Sequence, residues 1–111
     1  MPSPPSVFYR VVGHDEWCDF SEYGRIRCLG GESYEAGKCA WENLKDARAW
    51  ANGNASAPFY RPPVRILRIE LHSGANLGFG PVFLGPRLDR IGPAWMIPVE
   101  ILATATAHEV T

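Results

Sequence analysis

The run Val7–Val12 constrains this chain more than any other segment. Apart from one arginine its residues are β-branched or aromatic, the side chains that suit a pleated, half-buried surface, so it reads as a strand. Period-two alternation places Val7, Tyr9 and Val11 on one face and Phe8, Arg10 and Val12 on the other. Arg10 therefore stands between two apolar neighbours. A guanidinium in that position is paired with a carboxylate, aimed at a ligand, or, on an edge strand, turned to solvent. A second constraint follows at Lys38–Glu42, a short strand with Cys39 and Trp41 on one face and Lys38, Ala40 and Glu42 on the other. It runs straight into a helix. Asn43 is the cap, with Asp46 at the third helical position in the manner of a capping box. Ala47, Trp50 and Ala51 keep helical spacing, and Asn52-Gly53 is the stop.

The remaining elements lie between these two and after them. Gly13 closes the first strand and His14-Asp15-Glu16 opens a helix, its acidic first turn suiting the positive end of the helix dipole. Trp17 and Phe20 supply its buried stripe and Gly24 its end. Glu16, Asp19 and Glu22 read as a solvated acidic face, with docking of a partner as the functional alternative. Arg25–Ala36, with Gly30-Gly31, reads as a loop, as does Gly53–Pro63 with its three prolines. Val64–Leu71 is a strand with Leu67, Ile69 and Leu71 facing one way, Arg68 and Glu70 the other. Ala75–Leu84 is Gly-rich and ends in Val82-Phe83-Leu84, a short strand or hairpin arm. Ala94–Leu102 is a strand interrupted by Pro98, which belongs at a sheet edge or bulge. Residues 1–6 and 103–111 read as flexible ends.

Two helices among about five short strands make this a single α+β domain spanning residues 1–111, with no internal repeat. A chain of 111 residues is long enough to bury a core without staples. Eleven glycines and ten prolines favour short strands and ordered loops over a helical bundle. Eleven basic against twelve acidic residues give a formal charge of −1 and no general field for nucleic acid or an anionic membrane. The segment MPSPPSVFYR has neither the basic nor the apolar region of a secretory signal, and no apolar run has membrane-spanning length. Three cysteines, Cys18, Cys28 and Cys39, form no CxxC pair and are odd in number, which points to reduced thiols in a cytoplasmic setting.

Four segments together carry a family likeness: Tyr9-Arg10 in the first strand, Gly37-Lys38 entering the second, Asp46–Trp50 in its helix, and Leu88–Ala94 before the last strand. In this order, across residues 8–102, they resemble a small bacterial ADP-ribosyltransferase-like domain. The resemblance implies a split β-sheet core with NAD held in the cleft between its halves. It implies that Arg10 contacts the NAD phosphates or adenosine ribose, and that Lys38 lines the cleft. A guanidinium suits a pyrophosphate through bidentate contact, and Trp41 or Tyr34 would offer nicotinamide an aromatic surface. It also implies a carboxylate to orient the ribose and stabilise an oxocarbenium-like centre as nicotinamide departs. The candidates are Asp89, in the stretch before the last strand, and Glu100, inside it. The expected activity is NAD-dependent transfer of ADP-ribose to a protein or nucleic-acid acceptor, as in a toxin-like effector or a phage or defence factor. Cys39 stands where such domains carry Tyr, Ser or an aromatic residue. The rival reading is accordingly a non-enzymatic binding module on the same scaffold. A third is an immunity or antitoxin-like protein using its acidic helix.

Other constellations are bland beside these. His14 and Cys18 are four apart on one helix face, half of a metal site, but no second pair stands at ligand spacing, so no metal is expected. Cys39 beside Lys38 reads either as an acidified nucleophile or as a small buried hydrophobe. The stretch Gly74–Gly80 lacks the Lys and Ser/Thr of a phosphate loop.

Overall fold

The computed structural model describes residues 6–27, 38–54, 63–71 and 94–110. Five strands, β1 (Val7–Val12), β2 (Lys38–Trp41), β3 (Arg65–Glu70), β4 (Ala94–Ile97) and β5 (Thr106–Val110), form one sheet in the order β4-β2-β1-β3-β5. Every neighbouring pair is antiparallel. Among the described residues three helices accompany it: α1 (His14–Tyr23), α2 (Leu44–Asn54) and α3 (Val99–Leu102). The class is α+β.

β1 is the central strand, which explains why both of its faces are rich in large side chains. Phe8 and Val12 enter one core together with Ala40, Leu67, Ile69, Leu71, Trp95 and Ile97, under Trp17 and Phe20 of α1 and Leu102 of α3. Val11 enters the other with Trp41, beneath Ala47, Trp50 and Ala51 of α2. The alternation in β1, β2 and β3 thus assigns faces as the sequence pattern implies: one sheet face meets α1 and α3, the opposite face meets α2. β1 pairs with β3 along its whole length, from Val7 opposite Glu70 to Val12 opposite Arg65. Its seam with β2 is narrower. Among the described residues it is registered at Tyr9 opposite Trp41. The sheet is therefore continuous where a split core was expected, though this seam is short.

α1 stops where its sequence requires. Gly24 takes the left-handed conformation at φ 71°, and its N–H donates to the Phe20 carbonyl at 2.8 Å, a geometry that costs residues with a Cβ more than glycine. At the start of α2, the Asn43 carbonyl accepts from the N–H groups of Asp46 and Ala47 at 3.2 and 3.1 Å. The Asn43 side-chain amide donates to the Asp46 carboxylate at 3.2 Å, so the two side chains clasp each other. The helix runs one residue past Asn52-Gly53, to Asn54.

The C-terminal segment departs from expectation twice. The strand expected over Ala94–Leu102 ends at Ile97, and Val99–Leu102 is a helical turn. Pro98 is the reason: it has no N–H for a ladder, while its carbonyl accepts from Ile101 and Leu102, each at 3.1 Å. Glu100 consequently lies in α3 and not in a strand. The tail expected to be loose is strand β5, running opposite β3 with Ala107 beside Ile69 and Glu109 beside Leu67. Ala107, with Ala105 just before the strand, packs onto the first core, and Glu109 accepts from Arg65 Nη1 at 2.7 Å. The expected strand at Val82-Phe83-Leu84 lies outside the described residues. Among those residues, no helix is long and apolar enough to cross a membrane.

Candidate functional site

α1 follows β1 directly, through Gly13 in extended backbone, and packs over the face that carries Arg10. This brings Glu16, in the first turn, onto the guanidinium. Arg10 Nε donates to Glu16 Oε2 at 2.6 Å and Nη2 donates to Oε1 at 2.8 Å, a bidentate fork. Lys38 approaches the same carboxylate from β2, its Nζ donating to Oε1 at 3.3 Å. Arg10 Nη1 donates across the β1–β2 seam to the Cys39 carbonyl at 2.7 Å, a side-chain link where the ladder between these strands is short. All three side chains are withdrawn from water, with exposures of 14% for Arg10, 10% for Glu16 and 4% for Lys38.

Burial alone would push the Glu16 carboxyl up. The Arg10 guanidinium and then the Lys38 ammonium outweigh it and hold Glu16 below the usual carboxylate range. Glu16 is therefore ionised at neutral pH and is no general acid there. It is also no part of a solvated acidic face, as its helical spacing suggested. Nor is Asp19, which accepts from Arg27 Nε and Nη2 at 3.2 and 2.8 Å. The Arg27 guanidinium lies 3.4 Å from the centre of the Tyr23 ring. A second cation–π contact braces α1 from below, with Arg65 4.7 Å from the Trp17 ring centre.

Of the residues expected to hold NAD, Arg10 and Lys38 meet at this one carboxylate. Trp41 does not join them. It projects from the opposite sheet face, 2% exposed, with its ring 6.1 Å from that of Trp50. An indole there is core for α2, not a wall of the space around Arg10. Tyr34 and Asp89 lie outside the described residues. Glu100 is exposed on α3, three residues beyond Ile97, whose register partner is Lys38, so it stands at the same end of the sheet as Lys38.

Two carboxylates escaped the sequence reading. Glu16 was the partner that an arginine between apolar neighbours calls for, and its place one turn beyond Gly13 was the available signal. Glu42 shares the Lys38 face and accepts from Trp95 Nε1 at 3.0 Å. Trp95 is buried edge-on against Phe8, which accounts for the need of its N–H for a partner.

The thiols separate by environment. Burial pushes the Cys39 thiol above its usual range, and Arg10 offsets this only in part, so the acidified nucleophile gives way to a half-buried hydrophobe. Cys18 is exposed, its Sγ 3.4 Å from His14 Nε2. Alkylation of the native protein by iodoacetamide near neutral pH should modify Cys18 well ahead of Cys39, as read by peptide mass spectrometry. Equal rates at the two would contradict the partial burial and raised pKa of Cys39.

No protein-family model, curated protein or solved structure matches the chain.

Proposed function

We propose that this chain is an NAD-dependent ADP-ribosyltransferase-like domain acting on a macromolecular acceptor, in the manner of a toxin-like effector or a phage or defence factor. The observation that carries this reading is the meeting of Arg10 and Lys38. Two cations from neighbouring strands, four-fifths or more buried, address one anion through a fork and a point charge. That donor set suits a pyrophosphate as well as a carboxylate. In the reaction the ribose C1′–nicotinamide bond breaks, nicotinamide leaves with the bonding pair, and a nucleophile on the acceptor forms the new bond to C1′. A carboxylate beside C1′ lowers the cost of the developing positive charge. Asp89 and Glu100 are the residues proposed for it, Glu100 by its place at the Lys38 end of the sheet.

A second reading, binding without turnover, draws on a different observation. The carboxylate that stands beside Arg10 is engaged by two cations, while Glu100 is exposed on a separate helix. The immunity-type reading keeps only Glu22 of its acidic face exposed, because Glu16 and Asp19 are engaged by Arg10, Lys38 and Arg27. Incubation with NAD and assay of free nicotinamide separates the first two. Release above the spontaneous rate, reduced at least about tenfold in Glu100→Gln or Asp89→Asn, supports the transferase. Saturable NAD binding with no release leaves the binding module.

A further inference from the structure

We infer that Arg10 and Lys38 form a pyrophosphate-binding site whose built-in occupant is the Glu16 carboxylate, displaced when the ligand arrives. The inference rests on the reading that nucleotide phosphates come to this seam, and it adds a residue and a gating step to it.

The other ion pairs among the described residues, Arg27–Asp19, Arg65–Glu109 and Arg68–Glu70, each match one guanidinium to one carboxylate. Glu16 differs in drawing donors from two strands at once. Its two oxygens meet three N–H donors at 2.6, 2.8 and 3.3 Å. Two non-bridging oxygens of a phosphate satisfy the same donors, and a pyrophosphate brings more negative charge to them than one carboxylate does.

The elements can separate in the way displacement needs. Both cations belong to the sheet, whereas Glu16 belongs to α1, which joins β1 through Gly13. Glu16 takes part in no strand pairing, so its displacement needs a change in the first turn of α1, beside Trp17, and none in the sheet. Arg10 keeps its aim meanwhile, because Nη1 remains on the Cys39 carbonyl. Glu16 competes as a charged group, since its carboxyl is held ionised. An incoming anion must therefore outbid a carboxylate, and removing that charge should strengthen its binding.

The test is calorimetric titration of the full chain with inorganic pyrophosphate. Glu16→Gln, which keeps the shape and removes the charge, should bind at least about tenfold more tightly than the wild type. Adding Lys38→Met should abolish that gain. Equal affinity in wild type and Glu16→Gln, or no binding by either, overturns the inference. Should Glu16→Gln fail to fold by circular dichroism, hydrogen exchange of the wild type with millimolar pyrophosphate decides. Faster exchange across residues 14–23 supports displacement, and unchanged or slower exchange overturns it. NAD in place of pyrophosphate keeps the two proposals apart. A Glu16-dependent gain for pyrophosphate without NAD binding leaves the anion site standing and removes the NAD reading. NAD binding that is equal in both proteins keeps the NAD reading and removes Glu16 as occupant.

Discussion

Replacing Glu16 with alanine should lower the unfolding free energy by about 3–5 kcal/mol, because it takes from two buried cations the carboxylate they share. Urea denaturation should show a fall in midpoint at an unchanged slope. The cost is large for a physical reason that surface pairs lack. Arg10 and Lys38 have already given up most of their water, and the Glu16 oxygens stand in its place at 2.6–3.3 Å. The exposed Arg68–Glu70 pair offers the contrast, since Glu70→Ala should cost well under about 1 kcal/mol. The dependence on pH follows from the direction of the Glu16 shift. Its folded-state pKa lies below the unfolded value, so the fold binds the ionised form preferentially. This contribution is fully present above the ordinary carboxylate range and is lost as pH falls through the depressed folded pKa. The wild type should therefore lose stability on acidification below about pH 4.5, the unperturbed value, and Glu16→Ala should lose less over the same window. Parallel pH profiles for the two proteins would contradict the triad.

Trp41→Ala should cost about as much, on the order of 3–5 kcal/mol, by opening a cavity on the other sheet face. Trp41 fills the space between β2 and α2, against Ala47 and Trp50. Its neighbours are held by the strand on one side and the helix on the other, which limits collapse into the void. Thermal or urea unfolding measures the loss. Trp41→Phe refills much of the volume and should retain most of the stability. It should also leave NAD affinity unchanged, since the ring projects from the face opposite Arg10. A selective loss of NAD binding in a stably folded Trp41→Phe protein would instead restore the aromatic-platform role expected from sequence.

How far the chain could be read beforehand follows from which signals are local. Alternation in Val7–Val12 and Val64–Leu71 is a property of neighbouring residues, and both strands and their faces stand as the pattern implies. The helix ends at Gly24 and at Asn43 are equally local, set by one backbone conformation and one pair of side chains. Pro98 interrupts the strand pattern, but proline marks a break without saying what comes next. A helical turn follows, which takes Glu100 off the sheet. β5 was illegible for a different reason. Thr106–Val110 carries no large apolar alternation and is held by β3 and by Glu109 on Arg65, partners some forty residues upstream. Glu16 was half-legible. Arg10 announces the need for a carboxylate, yet helical spacing groups Glu16 with Asp19 and Glu22, and only the packing of α1 against the Arg10 face of the sheet turns it inward.

The central claim is that the Arg10–Lys38 seam receives the phosphates of NAD, and calorimetric titration of the wild-type chain with NAD tests it most directly. Saturable binding at or below millimolar concentration, weakened at least about tenfold in a folded Lys38→Met protein, is the predicted result. Absence of binding at millimolar NAD, or binding that Lys38→Met leaves unchanged, would contradict it.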